Sequence, residues 1–338
     1  MHLFGRDVAG EVAIVAEVGV NHEGDVEAAS RLVRLAAEAG ADAVKFQSYT
    51  PARYCTASDP VRLARVTRFA LDREAHERLA AEATALGIAF LSTPVTEDWV
   101  PILAGLCPAL KIASGDLVFE AVIRAAARTG KPVILSAGGG ELDEIDQAVE
   151  WVADEVGRDA LAERLVLMHC VSAYPTPVDE ANVRSVGFLS DRYGLVTGYS
   201  NHVVGPEACL AAVALGARVI EVHFTDRREG RTFRDHELSF EPDELAALVR
   251  GIPRVVAALG TAGKRRQPSE AGNIAAMRKG VVAARALSAG QILGADDLMF
   301  ARPATEYAAA DLPRLLGLRL TEDVVAGALI RRAAVVEA

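Results

Sequence analysis

Short runs of β-branched and other apolar residues alternate along the first 260 positions with longer segments in which apolar residues recur at helical spacing. This alternation is typical of repeated β-α units. The predicted strands are 12–20, 43–47, 89–92, 110–113, 132–136, 164–170, 194–198 and 218–224. The predicted helices are 25–39, 73–86, 96–106, 119–129, 142–156, 182–193, 206–215 and 241–259. Eight successive units favour an α/β fold of the closed (β/α)8 TIM-barrel type over an open doubly wound sheet.

The pattern changes near the end of the last predicted helix. Residues 260–280 are polar, with a short basic run and a proline, which is typical of a linker. Two short alternating runs then follow, at 281–287 and 297–302, and they predict a small β-rich domain. About 58 residues are marginal for independent stability, so we expect this domain to pack against the barrel or a second subunit. The predicted divisions are a barrel at 1–260, a linker at 261–280 and a terminal domain at 281–338.

The composition limits the partners of the chain. It has 36 Lys and Arg against 46 Asp and Glu, a net charge of −10, and no strongly basic block, so we expect no nucleic-acid partner. Its apolar stretches are far shorter than the roughly 20 residues of a membrane helix. The N-terminus also lacks the pattern of a secretory signal, so we expect no membrane partner and a cytoplasmic location. The cysteines stand far apart, which argues against disulfides and thiolate zinc sites: Cys55, Cys107, Cys170 and Cys209.

Polar residues occur where each predicted strand ends, which is where barrel enzymes place their chemistry. They include Glu17, Lys45, Gln47, Thr93, Lys111, Ser114, Ser136, Ser172, Tyr174, Ser200, His202, Glu221 and His223. A lysine inside a barrel strand needs an anionic partner, because burying an unpaired ammonium costs several kcal/mol. The two lysines could form a structural pair with Glu17 or Glu221. We favour a second interpretation, in which they bind the phosphate and carboxylate of one small ligand.

Two histidines end neighbouring strands. His202 and His223 lie about one α-β unit apart, and two neutral imidazoles at one rim suit a divalent transition metal. A hydrogen-bonded core role is the alternative. With two histidines, and with Glu17 as a third candidate ligand, coordination positions would stay open for water or substrate, which favours catalysis. Asp235 lies in the loop after the eighth strand, where it could orient a ligand or be solvated.

Six ordered segments of the chain resemble the sialic acid synthases, also called N-acetylneuraminate synthases. They are AEVGVNHEG (16–24), ADAVKFQ (41–47), LSTP (91–94), KIASGD (111–116), YPTP (174–177) and GYSNH (198–202). The tail from Val281 is similar to the antifreeze-like (SAF) domain that ends such enzymes. The resemblance therefore covers nearly the whole chain.

This resemblance implies a metal-dependent transferase that condenses phosphoenolpyruvate with an N-acetylated aldose, such as N-acetylmannosamine. The products would be a nine-carbon 2-keto-3-deoxy acid and phosphate. The matching positions for phosphoenolpyruvate are Lys45, Thr93, Lys111, Ser114, Ser136 and Ser200. His202 and His223 would bind the metal, usually Mn²⁺ with Mg²⁺ or Co²⁺ as alternatives, and Glu17 would order its water and the reacting groups. The positions that match sugar contacts are Gln47, Tyr174 and Asp235, and Ser172 stands where some members have an amide.

The resemblance also implies a domain-swapped homodimer. In this family the SAF domain reaches over the partner's barrel, and Arg302 matches an arginine that contacts the acyl group of the sugar.

The chain departs from the family pattern mainly on the sugar side. Asn201 replaces an Asp, Val222 replaces a Lys or Arg, and Ala304 replaces a Gly. The loop Thr232-Phe233-Arg234-Asp235-His236 replaces a Gly-Pro-Asp-His loop. Two alternatives therefore stay open. One is a synthase for legionaminic, pseudaminic or another 3-deoxy sugar acid, and the other is a non-catalytic sugar-binding relative.

Overall fold

Eight parallel strands form the centre of the computed structural model, which describes residues 1–338. They are β1 (Ala13–Gly19), β2 (Ala43–Ser48), β3 (Ala89–Pro94), β4 (Leu110–Ile112), β5 (Val133–Ser136), β6 (Leu165–His169), β7 (Val196–Asn201) and β8 (Val219–His223). Their hydrogen-bonded order is β3-β2-β1-β8-β7-β6-β5-β4, and β3 and β4 also lie side by side. The sheet thus closes on itself, and the predicted TIM barrel is confirmed.

A helix follows each strand and packs on the outside of the barrel. The helices are α1 (Val26–Glu38), α2 (Arg73–Ala85), α3 (Val100–Leu106), α4 (Glu120–Arg128), α5 (Leu142–Val156), α6 (Ser185–Tyr193), α7 (Glu207–Ala214) and α8 (Pro242–Leu259). Their starts follow ordinary capping chemistry. Asp25 accepts the backbone N–H of Glu27, and Asp72 accepts that of Ala75.

Alternation along the strands decides which side chains enter the barrel. In β8, Glu221 and His223 lie on the inner face with one residue between them, while Val222 faces the helices and is fully buried. The parallel register sets His223 opposite Glu17, and Glu17 opposite Lys45. Polar groups from β1, β2 and β8 are therefore level with one another at the carboxyl end of the barrel.

An insertion that the sequence pattern did not predict lies between β2 and α2. It contains the short helices Pro51–Tyr54 and Pro60–Phe69. The second begins as helices commonly do, with Asp59 accepting the backbone N–H of Arg62 and proline in the first turn. Three further elements within residues 1–260 also escaped prediction: the hairpin of His2–Leu3 with Arg6–Asp7, the helix Arg158–Arg164 and the helix Asp235–Leu238.

The residues from Thr261 to Ala338 form a second compact unit, separate from the unit Met1–Gly260. Gly280–Ala283 pairs antiparallel with Leu298–Ala301, and Arg319–Leu320 pairs antiparallel with Val335–Val336. The two predicted alternating runs, 281–287 and 297–302, overlap the first pair and miss only Gly280. The second pair was missed, because two-residue strands are too short to show a period. The buried core of this second unit consists of Val281, Ala283, Leu287, Leu293, Leu298, Leu315, Leu320, Val324 and Ile330.

No helix in the structure combines the length and apolar character that a membrane-spanning segment needs.

Candidate active site

A cavity of about 750 Å³ opens at the carboxyl ends of the barrel strands. Twelve of the fourteen residues that the sequence analysis assigned to catalysis, metal binding or substrate binding line it. They are Glu17, Lys45, Gln47, Thr93, Lys111, Ser114, Ser136, Tyr174, Ser200, His202, His223 and Asp235. Every barrel strand, or the loop that follows it, contributes at least one of them.

The other two predicted residues do not line the cavity. Ser172 is exposed, and its hydroxyl lies against Gly138 beside Cys170. Arg302 belongs to the second unit, where it is exposed.

Two lysines and two glutamates form a buried charged group at the floor of the cavity. The Nζ of Lys45 is 2.8 Å from Oε2 of Glu17 and 3.5 Å from Oε1 of Glu221. The Nζ of Lys111 is 3.6 Å from that same Glu221 oxygen. All four side chains are less than a tenth exposed. Glu221 therefore lies between the two ammonium groups, whereas Glu17 contacts only one of them, that of Lys45.

Burial and charge act on these four groups in opposite directions. Burial raises the pKa of Glu17 to about 7, against the opposing effect of Lys45. Burial also acts to raise the pKa of Glu221, but Lys111 and Lys45 outweigh it and lower that pKa to about 2. Burial lowers the pKa of Lys111, while Glu17 and Glu221 outweigh burial at Lys45 and raise its pKa. Glu221 is thus the fixed negative charge, and Glu17 is close to its midpoint at neutral pH.

Hydroxyl groups surround the ammonium groups. The Nζ of Lys45 donates to Oγ1 of Thr93 at 3.3 Å, and the Nζ of Lys111 donates to Oγ of Ser136 at 2.8 Å. Ser200 donates to Oε1 of Glu221 at 3.2 Å. The Oγ of Ser114 accepts the backbone N–H of Gly138 at 3.1 Å. Such a set of cations and hydroxyls is suited to the oxygens of a phosphate or carboxylate.

The two histidines lie together on the cavity wall, with ring centroids 5.3 Å apart. Nδ1 of His202 is 2.6 Å from the carbonyl oxygen of Val171, so this nitrogen carries the proton and Nε2 holds a free lone pair. Nδ1 of His223 is buried and has no hydrogen-bond partner. Burial lowers the pKa of His202 and brings that of His223 well below its usual value, so both rings are neutral.

No third His, Cys, Asp or Glu joins this pair in an arrangement that holds a metal ion. The donor chemistry nevertheless fits a divalent transition metal, because each ring is neutral and has a nitrogen without a hydrogen-bond partner.

The two departures beside the histidines have their own local roles. Asn201 donates through its side-chain amide to the carbonyl of Val203 at 2.7 Å and accepts that residue's backbone N–H. Val222 faces the helices. Neither lines the cavity.

The loop after β8 forms the outer wall. The guanidinium of Arg234 lies 5.1 Å from the ring centre of Tyr174 and 3.2 Å from Oδ1 of Asp235. Burial raises the pKa of Asp235, although Arg234 opposes the rise. His236 does not line the cavity and holds this loop in place through its Nδ1, which lies 2.7 Å from Oγ1 of Thr225. Gln47 also lines the cavity, and its Nε2 donates to Oε1 of Glu17 at 3.5 Å.

Sequence reasoning missed several cavity residues. Glu221 was named at its strand end and as a structural partner of the lysines but was given no part in the reaction, although its spacing of two from His223 placed both on one strand face. Arg62 and Arg65 lie on the unpredicted helix Pro60–Phe69, whose start was signalled by Asp59. Asp116 also lines the cavity, and burial raises its pKa to about 6.

Comparisons with known proteins agree with this architecture. Residues 32–264 match the NeuB family, and residues 278–336 match the SAF domain. The N,N'-diacetyllegionaminic acid synthase of Campylobacter jejuni is 37% identical over 94% of this chain and 98% of its own length. The mouse N-acetylneuraminate-9-phosphate synthase is 33% identical over 87% of this chain and 84% of its own.

A solved structure shows the same fold. The N-acetylneuraminic acid (sialic acid) synthetase of Leptospira borgpetersenii, in complex with citrate, superposes with a TM-score of 0.73 at 34% identity. The match covers 78% of this chain and 90% of that one. The family match spans more than half of the residues and confirms the resemblance seen in the sequence. The chain belongs to the NeuB family.

Proposed function

We propose that this NeuB-family enzyme condenses phosphoenolpyruvate with an open-chain N-acylated aldose, forming a 2-keto-3-deoxy nonulosonic acid and releasing phosphate. The observation that carries the proposal is the cavity floor, where two buried lysines and their hydroxyl partners lie beside a pair of neutral histidines. The relatives named as legionaminic, pseudaminic and N-acetylneuraminate-9-phosphate synthases support the same reaction class.

Lys45 and Lys111 are proposed to bind the two acidic groups of phosphoenolpyruvate, with Thr93, Ser114, Ser136 and Ser200 donating further hydrogen bonds. Buried ammonium groups interact strongly with anions, because water is excluded from the cavity floor. Glu221 keeps both lysines charged and in place before the substrate arrives.

His202 and His223 are proposed to hold a divalent metal ion, with Mn²⁺ as the first candidate and Mg²⁺ or Co²⁺ as alternatives. The bond from His202 to the Val171 carbonyl orients its ring, as second-shell partners of metal ligands do. A metal bound there would act as a Lewis acid that polarises the aldehyde of the acceptor.

Glu17 is proposed to move protons during the reaction. The C3 carbon of phosphoenolpyruvate attacks the aldehyde carbon, a C–C bond forms, and the aldehyde oxygen gains a proton. Water then adds to C2 and loses one proton, and the C2–O bond to phosphate breaks while the remaining proton of the new C2 hydroxyl passes to the departing phosphate, which leaves the ketone. Glu17 suits both proton transfers, because its pKa of about 7 lets it give or take a proton at neutral pH.

Gln47, Tyr174 and Asp235 are proposed to contact the sugar, in the outer part of the cavity. The acceptor is N-acetylmannosamine or a related acylated amino sugar. Synthesis of legionaminic acid is the second candidate, since two N,N'-diacetyllegionaminic acid synthases are 37% and 34% identical to this chain.

A test of the reaction measures phosphate release from phosphoenolpyruvate in the presence of Mn²⁺, against a panel of aldoses. The panel contains N-acetylmannosamine, diacetamido 6-deoxy hexoses, mannose and arabinose 5-phosphate. We expect release with an acylated amino sugar only, and loss of that release after chelation with recovery on adding Mn²⁺. If a folded protein released no phosphate with any acceptor and did not bind phosphoenolpyruvate, the result would instead support a non-catalytic relative.

We further propose that the enzyme is a domain-swapped homodimer in which Arg302 reaches the partner's sugar site. Arg302 is exposed, and Met299 and Phe300 beside it are each more than two fifths exposed, which is typical of a surface that another body covers. The small core of the second unit also gains stability from such a contact.

Mixed dimers test this arrangement. Arg302→Ala and Lys111→Met chains are each expected to be nearly inactive, because the first lacks the sugar contact and the second lacks a substrate cation. A random mixture of equal amounts should regain about a quarter of the wild-type rate, since half the dimers carry one complete site. Absence of recovery in purified heterodimers would rule out a shared site.

All four cysteines are free and buried. Free thiols persist in reducing compartments, so we expect the enzyme to act in the cytoplasm.

A further inference from the structure

The cavity contains more positive charge than phosphoenolpyruvate requires. Five cations line it, and three have carboxylate partners: Lys45, Lys111 and Arg234. Arg62 and Arg65 line it too: Arg62 contacts the ring of Tyr54, and the charge of Arg65 acts on Asp235 from beyond ion-pair distance. The only lining carboxylate outside the ion pairs is Asp116, whose burial keeps part of it protonated near neutral pH. The lining therefore has five cations against four carboxylates, and neither Arg62 nor Arg65 has a carboxylate within ion-pair distance.

Both arginines lie on one face of the helix Pro60–Phe69. Their spacing of three places them on the same side as Val66 and Phe69, which also line the cavity. The charge of Arg65 acts on Asp235, where it helps to offset the rise in pKa that burial causes. Arg65 therefore lies on the side of the cavity that we assign to the sugar.

Three contacts fix this helix in place. The hydroxyl of Tyr49 donates to the carbonyl of Val66 at 3.2 Å. Phe69 packs edge to face against Phe233, with ring centres 5.4 Å apart. At the helix end, the carbonyl oxygen of Arg68 occupies the space that a side chain on Gly24 would fill, and Gly24 has φ +89°. The arginines thus project from a supported element, which lowers the entropy that binding costs.

Guanidinium chemistry narrows the choice of ligand. The planar fork of arginine matches the oxygens of phosphate or carboxylate, which bind in a bidentate manner. Arg62 lies 5.5 Å from the ring centre of Tyr54, and such stacking orients the fork. The acidic groups of phosphoenolpyruvate are assigned to the buried lysines, so a second cation pair near the cavity mouth implies a second anion.

We propose that Arg62 and Arg65 bind a phosphate or carboxylate at the end of the acceptor sugar remote from its aldehyde. The inference rests on the proposed synthase function and specifies its substrate class as an anionic acylated amino sugar. A 6-deoxy acceptor has a methyl group at that end and would leave both guanidinium groups without a partner.

Three acceptors that differ at one carbon test the proposal. They are N-acetylmannosamine, its 6-phosphate and the corresponding 6-carboxylate, each measured with saturating phosphoenolpyruvate and Mn²⁺. We expect kcat/KM to be highest for one of the two anionic sugars, which also distinguishes phosphate from carboxylate. In Arg62→Gln and Arg65→Gln, the ratio of kcat/KM for that sugar over N-acetylmannosamine should fall by about 10- to 100-fold, as expected for loss of a charged hydrogen bond.

Arg68→Gln is the matched control. It removes a positive charge from the same helix, and Arg68 is exposed like Arg62 and Arg65 but does not line the cavity. We expect this variant to keep the wild-type preference.

Calorimetric binding of the 6-phosphate separates this inference from the proposed function. Weaker binding to the Arg62→Gln, Arg65→Gln double variant supports the anion site, even if no acceptor is turned over and the synthase assignment fails. If the wild type and the double variant bind N-acetylmannosamine 6-phosphate equally well, the anion site is overturned. A preference of the wild type for N-acetylmannosamine or a 6-deoxy sugar overturns it as well, while leaving the synthase assignment intact.

Discussion

Exchanging Lys111 for methionine is expected to lower kcat/KM for phosphoenolpyruvate by about 100- to 1,000-fold, the range seen when one preorganised group is removed from a charged site. The Nζ of Lys111 is buried, donates to Ser136 and lies beside Glu221. Methionine fills much the same space without the charge. Steady-state phosphate release, together with calorimetric binding of phosphoenolpyruvate, measures the effect.

The same exchange changes stability, and a second variant separates the two effects. Lys111→Met leaves Glu221 with Lys45 as its only cation, and breaking a buried pair costs about 3 to 5 kcal/mol. Lys111→Met combined with Glu221→Gln removes both charges, so we expect urea unfolding to recover toward the wild-type value while substrate binding stays lost. Recovery of binding in the double variant would contradict the assignment of Lys111 to the substrate.

Lys131→Met provides the matched control. Lys131 lies just before β5, at the opposite end of the barrel, where its Nζ donates to the carbonyl of Cys107 at 2.9 Å. It therefore loses a lysine charge without touching the cavity, and we expect its kcat/KM to stay near the wild-type value. A comparable loss in this variant would show that the effect of Lys111→Met is structural.

The parts of the site that could be predicted from sequence lie on regular strands. Lys45 and His223 are inner-face residues near strand ends, and a two-residue period with the barrel rule is enough to bring them to one rim. The position of Glu221 between two lysines is different. It depends on the registers of several strands together, which a single sequence does not reveal.

The insertion between β2 and α2 was less predictable for another reason. The helix Pro60–Phe69 has a weakly apolar pattern, and only Val66 and Phe69 are buried in it. Its position depends on distant partners, namely Gly24 and Phe233, which meet it only in the folded chain. Loops that build barrel active sites vary in this way while the strands that carry them remain regular. The lysines of the cavity floor and the sugar-side residues Gln47, Tyr174 and Asp235 could therefore be predicted from the sequence, whereas the part of the wall formed by the helix Pro60–Phe69 could not.

Asn201 and Val222, which precede the two histidines and depart from the family pattern, have contacts away from the cavity. Asn201 closes its own turn through Val203, and Val222 packs among the helices at zero exposure. Because neither side chain lines the cavity, we expect these two departures not to change the groups that surround His202 and His223 there. The altered loop from Thr232 to Asp235 does line it, so changes in specificity are expected there.

Replacing His223 by alanine is expected to weaken Mn²⁺ binding by more than about 100-fold and to reduce turnover in parallel, because loss of a direct ligand exceeds the loss from an outer-shell partner. Folding should persist. Nδ1 of His223 has no hydrogen-bond partner, so the exchange breaks no bond at that atom and costs about 2 kcal/mol from the space left behind. Metal content after dialysis, measured by mass spectrometry, reports binding independently of activity.

The control for this variant is His169→Gln. His169 ends β6, two strands from β8 in the barrel, lies outside the cavity and bonds through Nε2 to the carbonyl of Ala181 at 2.9 Å. We expect this protein to retain its metal, because glutamine keeps a donor for that carbonyl and the ring is not among the proposed ligands. Metal retained at full occupancy by His223→Ala would remove the histidine pair as the metal site. It would make His202 and His223 contacts of the substrate alone, with Glu17 as the group that activates the aldehyde by protonation.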